Sequence, residues 1–230
     1  MFSVIIPTCW CAPHIEQMLP LVLNHPLVHE VIFINNNIPD TPNWFHQYKS
    51  HPKLKIHTPP SNLFVNPSWN YFVSVAEADR LCFCSDDIGF DVSIFDQIDP
   101  YIIPTNGLFG MDPACTYNTG NIHYRKITLI KHEAVELPLR MKYLIMYGTL
   151  MFIHKWNFKP IPDEFKIFYG DVYTLCYCHT INKPCYTISN FLIITTIGTT
   201  SRREENLNTT TNEHIARTEI FTKLVGFDPF

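Results

Sequence analysis

The stretch that decides the fold is Ser3-Val4-Ile5-Ile6-Pro7-Thr8, with two later segments of the same cast, Val31-Ile32-Phe33-Ile34 and Leu81-Cys82-Phe83-Cys84. Each is a short apolar run that ends abruptly in polar or turn-forming residues: Thr8–Ala12, Asn35-Asn36-Asn37, and Ser85-Asp86-Asp87. Continuous apolar runs of this length describe strands buried on both faces rather than on one. Between them lie helical patterns. His14–Asn24 has apolar residues at Ile15, Met18, Leu19, Val22 and Leu23, and Asn66–Ala78 opens with Asn66 as an N-cap and Pro67 at the first helical position. A short helix over Trp44–Lys49 and a short strand over Leu54–His57 complete the set. Strands alternating with helices predict βαβ crossovers and a parallel sheet covered on both faces, an α/β fold. Ligands of such sheets bind beyond the carboxyl ends of the strands, which marks the three polar loops as the functional edge.

The second half is less regular. Strands are expected at Gly107–Met111, over His123–His132, within Met146–His154 and over Cys185–Thr196, with a helix over Phe165–Ile181 that carries Asp171. After Gly198 the composition turns polar. Glu213–Val225 then predicts a terminal amphipathic helix with Ile215, Ile220, Leu224 and Val225 on its apolar side.

Composition excludes several classes. At 230 residues, 46% hydrophobic and 17% charged, the chain can bury a full core and is not disordered. Its 17 Lys and Arg against 21 Asp and Glu leave a formal charge of −4, so a general nucleic-acid surface is not expected. No apolar run reaches the ~20 residues of a membrane span, and the first residues lack the pattern of a signal peptide. The eight cysteines include three C-x-C pairs and no C-x-x-C. In Cys82-Phe83-Cys84 that spacing puts both thiols on one strand face, as reduced structural residues of a cytoplasmic protein rather than a zinc scaffold.

Two readings fit the acidic pair Asp86-Asp87. Adjacent carboxylates at a sheet edge repel each other unless a cation neutralises them, and hard divalent ions such as Mn²⁺ or Mg²⁺ take few carboxylates and leave room for phosphate oxygens. The alternative is a solvated loop capping the helix that begins near Asp91.

The order of these elements resembles the opening of family 2-type GT-A glycosyltransferases. The resemblance rests on Ser3–Thr8, on Glu30–Asn37, on Asn62 and Asn70 eight residues apart with Ala76 following, and on a strand ending in acids, and it covers about residues 2–90. It implies a GT-A (Rossmann-like) single domain, a mostly parallel central sheet flanked by helices. Residues 1–90 would form the nucleotide-sugar-binding half and 91–200 the acceptor-side half, with a flexible polar segment and C-terminal helix over 201–230. By the same resemblance Pro7, Thr8, Asn36, Asn62, Asn70 and Asp86 belong to the nucleotide-sugar site, and Asp87 holds the metal, Mn²⁺ or Mg²⁺. Met146–Ile153 looks like the strand lining the acceptor side. Asp171, in Tyr169-Gly170-Asp171, falls where inverting members carry the catalytic base; without the resemblance it reads as a helix N-cap. Arg202, with Arg203, is a candidate cation for the leaving diphosphate and equally a solvated linker. His214 is a candidate late metal ligand.

The implied activity is metal-dependent transfer of a sugar from a nucleoside-diphosphate sugar, a UDP-sugar by preference, to the hydroxyl of a glycan or other acceptor, in the cytoplasm or, for a virus- or phage-encoded chain, the host's. Three departures bear on it. Ser85 stands at the first acid of D-x-D, Asn36 stands where relatives place an acid that reads uracil, and Phe64 replaces a glycine. Ser85 and Asn36 also fit a non-catalytic nucleotide-sugar or carbohydrate binder of the same fold. A sugar nucleotidyltransferase would carry a Gly-rich basic loop after the first strand, and Thr8–Pro13 has neither glycine nor base.

Overall fold

The computed structural model describes residues 1–36, 41–117, 122–132, 147–195 and 207–226. Its first half follows the expected alternation: β1 (Phe2–Thr8), α1 (His14–Asn24), β2 (Val28–Asn35), a 3-10 turn (Asn43–Tyr48), β3 (Leu54–His57), α2 (Val65–Val75) and β4 (Arg80–Cys84). These four strands are parallel neighbours in the order β3-β2-β1-β4. The order reverses between β1 and β4, so the loops after Thr8 and Cys84 open side by side at the carboxyl edge. Pro7 is tolerated inside this central strand because the ladder with β4 runs only from Phe2 to Ile5, leaving Pro7 beyond it.

Beyond β4 the chain forms β5 (Ile88–Phe90), α3 (Ile94–Ile98), β6 (Phe109–Met111), β7 (Thr116–Tyr117), β8 (Thr128–Lys131), β9 (Leu150–His154), α4 (Gly170–Thr180), β10 (Tyr186–Ser189), β11 (Ile193–Thr195) and α5 (Leu207–Val225). The main sheet continues β4-β9-β6-β10-β8, and β5-β11-β7 make a small second sheet. Here the sheet becomes mixed, because β9 runs antiparallel to both β4 and β6. All five residues of β9 are buried, so its sequence reads like a parallel strand and carries no trace of direction.

Alternation along the strands builds one core on each face. Val4, Ile6, Cys82 and Cys84 join the side chains of α1, α3 and the small sheet. Ile5, Leu81 and Phe83 join those of α2 and α4, together with Phe221 of α5. Cys82 and Cys84 thus share a face as their spacing required, and burial pushes both thiols up. None of the eight cysteines is in a disulfide. Glu30 enters β2 at 1% exposure. Burial opposes its charge, but Lys55, the Ser3 hydroxyl and the Glu77 amide outweigh that and hold its carboxyl below the usual range. No described helix is long and apolar enough to cross a membrane.

Three expectations change. Asn66 is not the N-cap of α2. The helix starts one residue earlier behind Phe64, and the buried Asn66 side chain donates instead to the Phe168 carbonyl at 2.8 Å. In α5, Ile215 is 72% exposed, and Phe221, which the helical stripe omitted, is fully buried against Phe165 and Tyr169. The stretch over Cys185–Thr196 is two strands in different sheets, split at Asn190, whose φ is +55°.

Phe64 explains the glycine expected at its position. Its φ of 61° and ψ of −164° fall in a region open almost only to glycine, at a strain of about 1–3 kcal/mol. Phe64→Gly is therefore expected to exceed Phe64→Ala in stability by about 1 kcal/mol, against the usual order of the two residues outside such regions. Paired urea unfolding curves check this; alanine equal to or above glycine would refute the strain.

Candidate active site

The rim is assembled from loops that each follow a strand. Thr8, the last residue of β1, donates its hydroxyl to Asp86 Oδ2 at 2.6 Å and accepts from the Trp10 amide at 2.8 Å. The Cys9 amide also hydrogen-bonds the Asp86 carboxylate. Trp10 takes a left-handed backbone (φ 59°), which turns its indole back over the sheet, stacked on Phe33 and donating to Asn35 Oδ1 at 2.8 Å. A residue that the sequence reading left unassigned therefore shapes the loop after β1.

Asn36 extends the β1–β2 pairing, its amide donating to the Thr8 carbonyl at 2.8 Å. Its side chain is engaged within the protein. Oδ1 accepts from the Leu63 amide, and Nδ2 donates to the Phe64 carbonyl and to the Ser68 hydroxyl. Asn62 Oδ1 accepts from the Phe64 amide at 2.7 Å, closing a tight turn around the strained residue. Asn36 and Asn62 therefore build the loop beside the carboxyl edge of the sheet. Asn70 lies elsewhere: Oδ1 accepts from the Ile161 amide and Nδ2 donates to the Ile161 carbonyl, a two-bond clamp between α2 and the segment before α4.

Asp86 is 8% exposed and Asp87 half-buried. Burial drives the Asp86 carboxyl up to about 6, with Asp87 adding repulsion, although Thr8 and the Cys9 amide pull the other way. Burial also raises Asp87. Among the described residues neither carboxylate has a cationic partner. The chemistry of this donor set, two desolvated oxygen ligands without a counter-charge, fits a hard divalent cation.

On the other side of the rim, Asp171 sits in the first turn of α4. Its Oδ2 accepts from the Gly148 amide at 2.9 Å and its Oδ1 from the Val172 amide at 2.9 Å; burial raises its carboxyl. The same short stretch that meets Asp171 also holds the acidic loop, because the Ser85 amide donates to the Thr149 carbonyl at 2.9 Å and the Ser85 hydroxyl to the Gly148 carbonyl at 3.5 Å. The Gly148-Thr149 segment thus ties the Asp86-Asp87 loop to Asp171. Gly148 has little room for a side chain: a Cβ there would lie 3.1 Å from Trp69.

His214 is not brought to the acidic pair. It is exposed on α5, hydrogen-bonded through Nδ1 to the Tyr169 hydroxyl. Among the described residues, which include every cysteine, no three His, Cys, Asp or Glu side chains form a group able to hold a metal ion. Arg202, with its neighbour Arg203, and Met146 lie outside the described residues.

No protein-family model matches this chain, and no curated protein sequence does. Solved structures do. Residues 1–349 of S. aureus TarS superpose with a TM-score of 0.63 at 16% identity, covering 85% of this chain and 60% of that one. The same fragment in complex with UDP-GlcNAc gives 0.66 at 15%, covering 96% and 66%. The mannosyltransferase PcManGT from Pyrobaculum calidifontis, in complex with GDP-Man and Mn²⁺, gives 0.61 at 15%, covering 88% and 58%. The chain thus spans 58–66% of the length of these structures. The likeness shows the fold, which is the GT-A arrangement that the resemblance in sequence implied.

The Asp86 shift has a thermodynamic consequence. Its folded pKa lies above the ordinary 3.8, so ionisation disfavours folding, and stability falls as pH rises through roughly 4 to 6. Asp86→Asn, which keeps an acceptor for Thr8, is expected to stabilise the metal-free protein by about 3 kcal/mol above neutral pH. The gain shrinks as pH drops toward about 4. Thermal unfolding across that range checks it; a gain independent of pH would contradict a charge effect.

Proposed function

We propose that the chain is a glycosyltransferase that moves a sugar from a nucleoside-diphosphate sugar to an acceptor hydroxyl with inversion, using a divalent cation at Asp87 and Asp171 as general base. The single observation that carries this reading is the link, across Gly148-Thr149, between an acidic pair that has no cationic partner among the described residues and a second carboxylate on the opposite side. The solved structures of like fold support it, since their ligands include UDP-GlcNAc, and GDP-Man with Mn²⁺.

The roles follow from the surroundings. Asp87, with Asp86 beside it, would hold Mn²⁺ or Mg²⁺ with phosphate oxygens and water completing the shell. The chemistry such a cation would supply when bound is neutralisation of charge on the departing diphosphate. Asp86, pinned by Thr8 and the Cys9 amide, keeps the loop after β4 in register with the loop after β1. Asn36 supports the donor site indirectly through residues 62–68, so base selection falls to other groups of the rim.

Asp171 performs the proton step. The acceptor oxygen attacks the anomeric carbon, the bond from that carbon to the diphosphate oxygen breaks, and Asp171 receives the hydroxyl proton. Its raised affinity for a proton suits a base, and two amide donors fix the carboxylate in one orientation.

Thermal-shift measurements with UDP-GlcNAc and GDP-mannose, with and without Mn²⁺, followed by turnover assays, test the reading. The wild-type chain should be stabilised by at least one nucleotide sugar only when Mn²⁺ is present. Asp87→Ala should lose that shift. Asp171→Asn should keep it and lose roughly 10²–10⁴-fold in kcat. Undiminished turnover in Asp87→Ala would refute the metal site, and binding without turnover by the wild-type chain toward any acceptor would favour a binding protein of the same fold.

A further inference from the structure

Glu213 of α5 is fully buried although it is acidic. Its Oε1 accepts from the amides of Lys166 and Ile167, each at 2.7 Å, and its Oε2 from the amide of Phe168 at 2.9 Å. Three consecutive main-chain N–H groups therefore converge on one carboxylate, an anion-binding concavity filled from within the protein. Among the described residues no cation neutralises it. Hydrophobic contact alone would dock this helix, since Phe221 already packs on Phe165 and Tyr169. A buried charge adds to such docking only where every one of its hydrogen bonds is made.

What the carboxylate adds is geometry. The chain it grips leads directly into Tyr169, whose backbone is left-handed (φ 65°) and whose hydroxyl is held by His214 and, at 3.5 Å, by Arg217. Gly170 follows, packed so closely on Asn66 that a Cβ would lie 2.1 Å from its Oδ1. Then comes Asp171. The opposite side of the same peptides is held by α2: the Val65 and Asn66 amides donate to the Lys166 carbonyl, and the Asn66 side chain to the Phe168 carbonyl.

We propose that Glu213 is a positioning residue for the Asp171 base: by fixing the amides of residues 166–168 it sets the turn that presents the Asp171 carboxylate to the acceptor. The proposal rests on the functional reading above.

Glu213→Gln tests it. Glutamine keeps the shape but turns an NH₂ toward one of the three amide donors. Hydrogen exchange at residues 166–168 should accelerate, and kcat with UDP-GlcNAc or GDP-mannose and Mn²⁺ should fall by about 10–100-fold, as expected for a displacement near 1 Å. KM for the nucleotide sugar and the Mn²⁺-dependent thermal shift should stay as in wild type. Glu213→Asp keeps the charge on a shorter arm and should restore part of kcat; it also serves as the test variant if the glutamine form does not fold. Glu219→Gln, at an exposed site on the same helix, should change neither reading. Faster exchange at 166–168 with wild-type kcat would overturn the positioning role. A wild-type chain with neither shift nor turnover would instead overturn the proposed function, and the positioning role with it.

Discussion

One amide, that of Gly148, donates to Asp171, while the carbonyls of Gly148 and Thr149 accept from Ser85. Two acidic loops that are 84 residues apart along the chain, at Asp87 and Asp171, are thereby held by a single turn of backbone. That turn reaches the rim because β9 inserts antiparallel between β4 and β6, with Cys84 paired to Leu150. Had β9 been parallel, its amino end and the turn before it would lie at the far side of the sheet from Asp86. The direction of one strand is thus what makes a two-sided site possible.

The rim also concentrates strain. Trp10, Phe64 and Tyr169 are non-glycine residues at positive φ, and each precedes or follows a residue of the candidate site by no more than two positions. Each such conformation costs on the order of 1–3 kcal/mol and persists only where surrounding contacts over-determine it. The contacts are visible: Trp10 by stacking and its Asn35 bond, Phe64 by Asn62 and Asn36, Tyr169 by His214 and Arg217. Together with the burial of Asp86, they load this edge with unfavourable contributions, offset by the two apolar faces beneath it.

How much of this was legible in the sequence depends on the range of the interactions concerned. β1, α1 and β3 were readable because apolar period and polar stops are local, and Cys82 and Cys84 share a face by spacing alone. The three polar loops at the carboxyl edge followed from where the apolar runs stop. Asn66 was misread because a cap is a local inference, whereas its partner Phe168 is 102 residues away. Glu213 gave no signal for the same reason: its three donors lie 45 to 47 residues upstream. The direction of β9 was hidden because a strand buried on both faces has no polar side to betray its register. Ile215 and Phe221 show a further limit, since a helical stripe does not say where the helix begins to leave its support.

The departures from the family pattern look different once their partners are known. Phe64, in a glycine's place, keeps the glycine's backbone and is held there by neighbouring side chains, so the loop shape is preserved by other means. Ser85, in an acid's place, donates its hydroxyl to the Gly148 carbonyl, which an ionised carboxylate could not do, and so adds to the tie that its main-chain amide already makes to Thr149. Asn36 uses both faces of its amide at once, accepting from Leu63 and donating to Phe64 and Ser68; a carboxylate there could accept but not donate. At Ser85 and Asn36 the side chain makes an internal bond that an ionised carboxylate would not make, whereas Phe64 is held through its main-chain amide and carbonyl. The candidate site is therefore better described as a rearranged support around its acidic residues than as a decayed copy of the pattern, because the Ser85 hydroxyl adds to the tie across Gly148 and Asn36 joins the end of β2 to residues 63–68.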